Sequence, residues 1–435
     1  MRVLFIHQNM PGQYKHIACE LAADPQNEVV FITRRKDIEL PGIKKILYEV
    51  RREPQKETHR YLITLEKAIL YGQEVWRACK ALKDKGFMPD IICAHPGWGE
   101  AMFVKDIFPD TPLLNYLEFY YNAHGADSNF DPEDPLTSDD MARIRVKNCN
   151  NLLALESCDW GISPTYFQAN VHPSYFRYKM SILHDGINTQ IVKPNNDVTY
   201  TLPNGKTLHK NDEIITYVAR NFEPYRGFPT AVKALEILQK RRPNAHIIMV
   251  GADGVSYGKK PEGNKTYRQI YFEKANLDFE KLHVLGSLPY PDYLKVIQLS
   301  TAHIYLTFPF VLSWSMLESM AAGCALVASR TSPVLEVIED GVNGLLADFF
   351  SPEDVADKVC AILEHKDRMQ SMRLMARKTV EDFYDLNTLL PLHIQLIREL
   401  AQGHVQPPIA QTIAKQFVPP SQLYLSNTHG GRPHD

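Results

Sequence analysis

The chain has 435 residues, of which 44% are hydrophobic and 23% charged, the composition of an ordinary globular protein. A chain of this length is too long to fold around a single hydrophobic core, so two domains of roughly 150 to 200 residues each are expected. The net charge of -3 provides no field that would recruit nucleic acid or an anionic membrane. The densest basic stretch, Arg34 to Arg60, also contains five acidic residues and is predicted to be a solvated face rather than a membrane or acceptor patch.

The cysteines and the apolar runs indicate where the protein works. Seven cysteines are spread singly, without a C-x-x-C pair or a zinc-like spacing, which predicts buried thiols in a reducing cytoplasm. The amino-terminal segment lacks the pattern of a signal peptide, and no run of about 18 apolar residues occurs. We expect a cytoplasmic protein without a membrane span, and peripheral contact with the inner face of the membrane stays open.

Short apolar runs alternate with amphipathic stretches through the first half of the chain. Residues 2–7 and 28–33 are predicted to be buried strands, and the stretch between them carries Tyr14, Ile17 and Leu21 at helical spacing. Further strands are predicted at "DIICAH", "PLLNYLEF" and "CDWGISP", with helices at about 62–84 and 138–157. This succession of βαβ units predicts a parallel sheet covered by helices on both faces.

The pattern loosens between about residues 182 and 212, where Asn, Asp, Gly and Pro accumulate, and this indicates a domain boundary. Helices at about 228–240, 290–300 and 315–322 then alternate with a second series of strands, and helical pattern resumes after Ser351. These strands are "EIITYVA", "HIIMVG", "LHVLGS", "AHIYLTF", "ALVAS" and "GLLAD". The second series predicts another doubly wound domain.

Two doubly wound domains of this kind place the carboxyl ends of their strands at one crevice, where ligands bind. The loop after the first strand of the second domain carries Arg220 and Arg226 and ends in Gly227. Two guanidinium groups on one loop are able to hold a phosphate or diphosphate through forked, charge-assisted hydrogen bonds. Glu223 lies between them, so a local ion-pair network is the alternative.

A second loop, residues 309–313, precedes a helix whose first turn presents backbone N–H groups and the positive end of the helix dipole. Two assignments of the helix start stay open. If Ser315 is the N-cap, Glu318 belongs to a capping box and points back at the Ser315 N–H. If Ser313 is the N-cap, Glu318 lies a turn further along, and its carboxylate is free to bind the hydroxyls of a ribose.

Glycine and histidine loops give weaker signals. Gly251 follows a strand and allows close backbone approach to a ligand, although a tight turn explains it equally well. In the first domain, Gly12, His95 and the segment with Glu118 and His124 all lie near predicted strand ends. A single histidine there is more often a packed or capping residue, but three polar loops together favour a site.

Several catalytic motifs do not occur in the sequence: there is no Asp-x-Asp, no His-Glu-x-x-His and no Walker lysine motif. Metal-dependent transfer and zinc hydrolysis therefore lose support. We predict no metal site and no cofactor.

The ordered motifs resemble those of retaining glycosyltransferases of family 4, which have the GT-B fold. In the second domain the resemblance is carried by "ILHDGINTQIVKP", "VARNFEPYRGF", "LHVLGSLPYPDYLKVIQLS" and "LESMAAGCALVAS…EVIEDGVNGLL". In the first domain, "FIHQNMPGQYKHIACELA", "CAHPGWGEAMFVKDIFPD" and "EFYYNAHGADSNFDPE" resemble one subgroup of that family. The resemblance covers about residues 1–390.

The resemblance implies an α/β protein of the GT-B fold, with two doubly wound Rossmann-like domains facing across a cleft. It places a Rossmann-like acceptor-side domain at residues 1–195 and a nucleotide-sugar-binding domain at 196–384. A crossover helix at 385–401 is expected to return to the first domain. Residues 402–435, which are polar and rich in Pro, Gly and His, are predicted to be a flexible tail.

The resemblance also assigns roles to residues of the donor site. Arg220 and Arg226 are expected to hold the donor diphosphate and to act in catalysis, although their spacing is one residue longer than in the family. Glu318 matches the second glutamate of the family's E-x7-E pair and is expected on the nucleotide ribose. The first glutamate of that pair is replaced by Phe310. The other expected donor contacts are Gly12, Gly251, Leu285 beside the base, and the backbone N–H groups of Leu312, Ser313 and Trp314 with the Ser313 side chain.

On the acceptor side, Glu118 stands where the family often has a histidine, and we expect Glu118 and His95 to be catalytic. The implied function is retaining, metal-independent transfer of a sugar from a UDP- or GDP-linked donor to a hydroxyl of a glycan, lipid or protein. Nucleic acid is not an expected partner.

Two alternatives stay open. A sugar-nucleotide 2-epimerase of the same fold would need carboxylates around the sugar, and Phe310 argues against such a site. The loss of the first glutamate of the E-x7-E pair favours the other alternative, a non-catalytic sugar-nucleotide-binding subunit.

Overall fold

The computed structural model describes residues 1–365 and 369–416, and these form two compact units. Of the described residues, the first unit contains Met1–Gly186 together with residues 387–416, and the second contains Ile187–Leu386. The sequence analysis put the boundary after residue 195, but the Ile187 N–H already donates to the Tyr384 carbonyl at 2.7 Å. This hydrogen bond joins the segment after Gly186 to the end of the second unit.

The sheet of the first unit has seven parallel strands in the order β3-β2-β1-β4-β5-β6-β7. They are β1 (Arg2–Ile6), β2 (Glu28–Thr33), β3 (Ile43–Leu47), β4 (Ile91–Ala94), β5 (Leu113–Tyr116), β6 (Trp160–Ser163) and β7 (Met180–Ile182). In β1, Val3 and Phe5 pack into one core cluster while Leu4 and Ile6 pack into another on the opposite face. Burial on both faces explains why such strands read as unbroken apolar runs.

Helices connect these strands as crossovers. They are α1 (Lys15–Ala23), α2 (Ile63–Asp84), α3 (Val104–Ile107), α4 (Ser138–Lys147), α5 (Cys149–Ser157) and α6 (Tyr166–Asn170). The helix predicted at 138–157 is thus two helices joined at Asn148. The Asn148 side chain donates to the Tyr121 carbonyl and accepts from the Tyr121 N–H at 3.1 Å, which ties this junction to the loop after β5.

The second unit has a six-stranded parallel sheet in the order β12-β11-β10-β13-β14-β15 and a two-stranded antiparallel hairpin, β8-β9. The strands are β8 (Thr199–Thr201), β9 (Thr207–His209), β10 (Ile214–Asn221), β11 (His246–Ala252), β12 (Leu282–Val284), β13 (Ala302–Tyr305), β14 (Ala325–Ser329) and β15 (Leu345–Ala347). Its helices are α7 (Phe228–Arg241), α8 (Tyr267–Phe272), α9 (Tyr290–Leu299), α10 (Trp314–Ala321), α11 (Ser332–Leu335), α12 (Pro352–Glu364) and α13 (Met369–Phe383). The two parallel sheets confirm the predicted α/β class with two doubly wound halves.

The chain ends, as far as the structure describes it, in two helices of the first unit. Helix α14 (Leu386–Ala401) coincides with the predicted crossover helix, and its Leu396 and Ile397 pack into the core cluster that contains Phe5. Helix α15 (Ile409–Gln416) lies within the segment predicted to be a flexible tail. The rest of that predicted tail, 417–435, lies outside the described residues. Within the described ranges, no helix combines the length and the apolarity needed to cross a bilayer.

Helix α15 differs from the prediction because Ile409 and Ile413, four residues apart, lie on one face of the helix and are buried in the first unit's core. Two apolar residues in a polar segment are too few to stand out in a periodicity search.

We expect Ile413→Ala to lower the free energy of unfolding by about 2–5 kcal/mol, because a buried isoleucine leaves a cavity when truncated. Urea unfolding followed by tryptophan fluorescence measures this, since Trp76, Trp98 and Trp160 report on the first unit. The control is Thr412→Ala, an exposed neighbour in the same helix, which should change the free energy by less than about 0.5 kcal/mol. Equal effects of the two substitutions would show that α15 is not packed in the core.

Candidate active site

The parallel strands of each unit end at one edge of its sheet, and the loops after them carry the candidate residues. In the second unit these are the loops after β10, β11, β12 and β13. In the first unit they are the loops after β1, β4 and β5. Each edge brings together polar side chains that are far apart in the sequence.

Arg220 and Arg226 have different environments. Arg220, the second-last residue of strand β10, is exposed, and its side chain has no hydrogen bond or ion pair with any residue that the structure describes. Arg226 is 6% exposed, and its Nη1 donates to Thr307 Oγ1 at 2.7 Å and to the Val311 carbonyl at 3.1 Å. Its guanidinium also lies 5.1 Å from the centre of the Tyr257 ring. Arg226 therefore ties the loop after β10 to the loop after β13, while Arg220 presents its positive charge at the surface.

Glu223 holds a neighbouring loop instead of pairing with an arginine. It is buried, and its carboxylate accepts hydrogen bonds from the backbone N–H groups of residues 256–258 at 3.0 to 3.1 Å. Asn221 Oδ1 accepts from the Gly254 N–H at 3.0 Å. Together they fold the loop after β11 onto the end of β10. The ion-pair network considered as an alternative does not form between Glu223 and either Arg220 or Arg226, all three of which are described.

Ser313 is the N-cap of α10, and its hydroxyl accepts a hydrogen bond from the Ser315 N–H at 3.3 Å. The capping-box assignment with Ser315 as N-cap is therefore wrong, and Glu318 lies a turn further along the helix. The Ser313 N–H, which we expected to contact the donor sugar, donates to the Tyr305 hydroxyl at 3.0 Å. A sugar would have to displace that hydroxyl or use other N–H groups of this turn.

Both carboxylate oxygens of Glu318 accept hydrogen bonds from tyrosines of α9. The Tyr290 hydroxyl lies 2.7 Å from Oε1, and the Tyr293 hydroxyl lies 2.8 Å from Oε2. Burial, followed by the charge of Glu318, raises the pKa of both phenols, so that they remain donors at neutral pH. This tyrosine clamp fixes the direction of the Glu318 carboxylate at the carboxyl edge of the sheet.

Phe310, in the place of the missing glutamate, belongs to an aromatic cluster. Its ring centre lies 5.4 Å from that of Tyr225 and 5.1 Å from that of Tyr257. Tyr225 also stacks on Phe308 at 4.7 Å. The loop before α10 therefore presents an aromatic wall beside Arg226, where the family has a carboxylate.

The other predicted donor contacts are shaped by packing. A Cβ on Gly251 would lie 2.6 Å from the Ala219 carbonyl, so close approach of β10 and β11 explains this glycine. Leu312 is buried in the core of the second unit and Leu285 is half-buried, whereas Trp314 is 44% exposed. Contact of these residues with a nucleotide sugar stays a prediction.

In the first unit, a chain of hydrogen bonds runs from His7 to Glu118. The Asn9 N–H donates to His7 Nδ1 at 2.9 Å, which leaves the ring proton on Nε2. His7 Nε2 lies 2.8 Å from Gln13 Oε1, and Gln13 Nε2 donates to Glu118 Oε1 at 3.1 Å. The loops after β1 and β5 are thereby joined, and one oxygen of Glu118 is held in place.

His95 approaches the other oxygen of Glu118. Its ring is 2% exposed and stacks on Trp98 at 4.5 Å between ring centres. The Gly97 N–H donates to His95 Nδ1 at 3.2 Å, so the ring proton lies on Nε2. This Nε2 lies 3.5 Å from Glu118 Oε2 and has no hydrogen-bond partner in the described part of the chain. The predicted catalytic residues His95 and Glu118 are thus neighbours.

Gly12 is required by the same cluster. It has φ +53°, and a Cβ there would lie 2.5 Å from His7 Nε2. His124 is exposed and lies outside the cluster. His7 and Gln13 were missed as individual site residues, although both lie in the "HQNMPGQ" motif; their hydrogen bonds to residues distant in the sequence are invisible in that motif.

Comparison with known proteins identifies the class first. Two solved structures that are similar to this chain have the GT-B fold. Anabaena HepE in complex with UDP-glucose superposes with a TM-score of 0.62 at 14% identity, covering 95% of this chain and 100% of HepE. Sucrose-phosphate synthase from Thermosynechococcus elongatus gives a TM-score of 0.68 at 15% identity, covering 93% and 100%. At sequence identities this low, structural similarity is evidence for the fold alone. It confirms the predicted GT-B architecture.

Sequence comparison gives two family matches. Residues 25–192 match the model of the glycosyl transferase family 4 group, and residues 201–379 match glycosyl transferases group 1. Together these matches span most of the chain and support a glycosyl transfer function. An uncharacterized glycosyltransferase of Methanocaldococcus jannaschii is 29% identical over 37% of this chain and 38% of its own length. The D-inositol 3-phosphate glycosyltransferase of Corynebacterium glutamicum is 23% identical over 43% and 44%. The matched segments therefore span about two fifths of these curated relatives.

The buried His7 makes the stability of the first unit depend on pH. Burial, with a smaller contribution from His95, lowers the pKa of His7 to about 3, although its hydrogen bond to Gln13 opposes this shift. Below pH 6.5 the unfolded chain binds a proton at this residue that the folded chain does not, so stability is fully present above that pH and is lost on acidification. We expect His7→Gln to reduce the slope of unfolding free energy against pH between about pH 6 and 4 by up to 1.4 kcal/mol per pH unit.

Urea unfolding at a series of pH values measures this slope. His59→Gln is the matched control, because His59 is an exposed histidine of the same unit, and the slope of that variant should equal that of the wild type. An unchanged slope in His7→Gln would mean that His7 protonates as readily in the folded state as in the unfolded chain.

Proposed function

We propose that this protein is a retaining glycosyltransferase that moves a sugar from a nucleoside diphosphate to a hydroxyl group of a glycan, lipid or protein, and that it works in the cytoplasm. The observation that carries the proposal is the carboxyl edge of the second sheet. There, Arg220, which has no ion-pair partner in the described chain, shares the edge with the start of α10 and the clamped carboxylate of Glu318. These groups are complementary to a diphosphate and a ribose.

UDP is the first nucleotide to test, because the similar HepE structure holds UDP-glucose. GDP is the other nucleotide expected in the donor. In this proposal Glu318 accepts hydrogen bonds from ribose hydroxyls, and the two tyrosines of α9 keep its carboxylate oriented. Leu285 lies beside the base, and the first turn of α10 lies beside the sugar phosphate.

The proposed chemistry depends on positive charge near the leaving group. The bond between the anomeric carbon and the diphosphate oxygen breaks, and a bond forms between the same carbon and the acceptor oxygen on the same face. The acceptor proton passes to the leaving diphosphate. Negative charge that grows on the diphosphate is stabilised by Arg220 and the helix start, and such preorganised stabilisation is often the largest catalytic contribution. Arg226 supports this arrangement by holding the loop before α10.

The first unit would supply contacts to hydroxyl groups. The Nε2–H of His95 is a donor, and the adjacent carboxylate of Glu118 is an acceptor, so the pair is suited to orient a sugar hydroxyl. The proposal requires no divalent cation, and transfer should persist in EDTA.

Incubation with a panel of UDP-, GDP- and ADP-sugars without acceptor tests the proposed function. Slow release of free sugar with retained anomeric configuration supports a transferase. Formation of an epimeric sugar nucleotide would instead identify an epimerase. A thermal shift without any turnover, with or without a panel of acceptors, would identify a non-catalytic binder.

Two observations favour the non-catalytic binder. Phe310 and its aromatic neighbours stand where the family has a carboxylate, and the Ser313 N–H and Arg226 are both engaged within the protein. A binder would retain nucleotide affinity through Glu318 and Arg220 without transfer.

We expect Glu318→Ala to lower kcat/KM for the donor at least tenfold, about 1.4 kcal/mol, because the ribose loses its oriented acceptor. Steady-state kinetics with the donor found in the panel measures the effect, and UDP titration calorimetry checks it independently. Glu353→Ala removes an exposed glutamate near the start of another helix of the same unit and should leave both measurements unchanged. Wild-type kinetics in Glu318→Ala would show that Glu318 does not bind the donor.

The two arginines should respond differently to substitution by glutamine. We expect Arg220→Gln to lower kcat at least tenfold without changing the melting temperature, since its side chain has no partner in the described chain. Arg226→Gln should lower both kcat and the melting temperature, because Thr307 and the Val311 carbonyl lose a charged donor. Calorimetric melting and single-turnover rates make the comparison. A melting temperature that falls equally in both variants contradicts the assignment.

A further inference from the structure

The basic stretch from Arg34 to Arg60 is mostly the solvated face that its composition predicts. Five of its nine cations pair with carboxylates of the described chain: Arg35 with Asp37, Lys36 with Glu49, Lys45 with Glu39, Arg52 with Glu66, and Arg60 with Asp139. Arg34, like Lys44, Arg51 and Lys56, is not among them. No carboxylate of the described chain lies within ion-pair distance of its guanidinium, although it is adjacent in sequence to the paired Arg35.

Arg34 lies at the carboxyl edge of the first sheet, next to the site already described. It directly follows β2, and its backbone N–H donates to the Gln8 carbonyl at 3.3 Å. Gln8 in turn follows His7, which begins the hydrogen-bonded chain to Glu118. The Arg34 side chain therefore extends from the end of β2, the strand next to β1, and His7 lies in the loop that follows β1. Ligands of such folds bind at this edge of the sheet.

The side chain of Arg34 is held by a neutral partner. Its Nη1 donates to the Tyr71 hydroxyl at 2.6 Å, and its Cζ lies 4.9 Å from the centre of the Tyr71 ring. Tyr71 is a buried residue of α2. A guanidinium has five N–H donors, and this hydrogen bond uses one of them without neutralising the charge.

A buried polar pair lies behind Tyr71. Tyr48 packs edge-on against Tyr71 with ring centres 6.4 Å apart, and the Tyr48 hydroxyl donates to Glu100 Oε1 at 2.9 Å. Glu100 is fully buried, and its other oxygen has no hydrogen-bond partner in the residues described. Burial raises the pKa of Glu100 to about 7, so this carboxyl group is a weak counter-charge for Arg34 at neutral pH. Packed tyrosine side chains therefore hold Arg34 in position, and its positive charge is not balanced by a nearby carboxylate.

We infer that Arg34 anchors a subsite for an oxyanion, a phosphate or carboxylate group carried by the acceptor. This inference rests on the proposed glycosyl transfer, because it assigns the acceptor's charge. An arginine fork oriented by a tyrosine and lacking an acidic partner is suited to bind such a group in a bidentate manner. Lys67, whose Nζ lies 5.7 Å from the centre of the same Tyr71 ring, is paired with Glu53 at 3.4 Å, so the subsite depends on the charge of Arg34 alone.

Protection from phenylglyoxal, a reagent that modifies arginine, tests the subsite without requiring activity. The full chain is treated with and without inorganic phosphate, glucose 6-phosphate or glucuronate, and modification of each arginine is measured by peptide mass spectrometry. We expect at least one kind of anion, phosphate (free or in glucose 6-phosphate) or the carboxylate of glucuronate, to slow the modification of Arg34 at least threefold. The modification rate of Arg35 should not change. Protection by only one kind of anion would identify the acceptor group as a phosphate or a carboxylate. No protection, or equal protection of Arg34 and Arg35, would overturn the inference.

A kinetic comparison follows once a donor is known. Arg34→Gln should raise KM at least tenfold for a phosphorylated or carboxylated acceptor and leave KM for the matched neutral sugar, and donor hydrolysis, within twofold. Arg35→Gln is the matched control and should leave all three unchanged. Equal effects of Arg34→Gln on charged and neutral acceptors would contradict the subsite. Protection of Arg34 in a protein that turns over no sugar nucleotide would contradict the proposed function but not the subsite.

Discussion

Parallel strands that are covered by helices on both faces leave polar loops only at the two ends of the sheet. Both units are built in this way, and every candidate residue discussed here depends on it. In the first unit it brings Gln13, His95 and Glu118 together from three loops. In the second it brings Arg226 within hydrogen-bond distance of Thr307 and of the Val311 carbonyl. The site chemistry of each unit is therefore set by which loops share an edge.

Burial then decides which of these polar groups are fixed. A buried donor or acceptor without a partner costs about 1–3 kcal/mol, and a charge costs more, so most such groups are tied to their neighbours. His95 Nε2 and one oxygen of Glu100 are exceptions in the described chain. Glu223 takes three backbone N–H groups, and the tautomers of His7 and His95 are set by the N–H groups of Asn9 and Gly97. These bonds hold the loops rigid before any ligand arrives, which is what electrostatic preorganisation requires.

The sequence predicted most of the sheet because buried parallel strands are continuous apolar runs. It missed β3, whose "IKKIL" carries two lysines at the sheet edge, and β7, an edge strand of only three residues. It also missed the short hairpin β8-β9, which lies in the polar segment assigned to the domain boundary. At the site, loops could be predicted from strand ends, but individual roles could not. Nothing in the spacing of Arg220, Glu223 and Arg226 indicates that the glutamate binds backbone N–H groups and that one arginine is buried. Those outcomes depend on residues 33 to 85 positions away in the chain.

Both units contain two arginines close together in sequence, and in both the pair divides in the same way. In the first unit, Arg35 is neutralised by Asp37, while Arg34 at the end of β2 is not. In the second unit, Arg226 is bonded to the protein's own oxygens, while Arg220 at the end of β10 is not. A guanidinium whose donors are already used by the protein must lose those bonds before it can bind an anion, whereas an uncompensated one gains bonds on binding. The arginine beside the carboxyl end of a strand, Arg34 after β2 and Arg220 in β10, is therefore the one suited to bind a ligand in each unit. Under the proposed function, two such charges fit transfer from an anionic donor to an anionic acceptor.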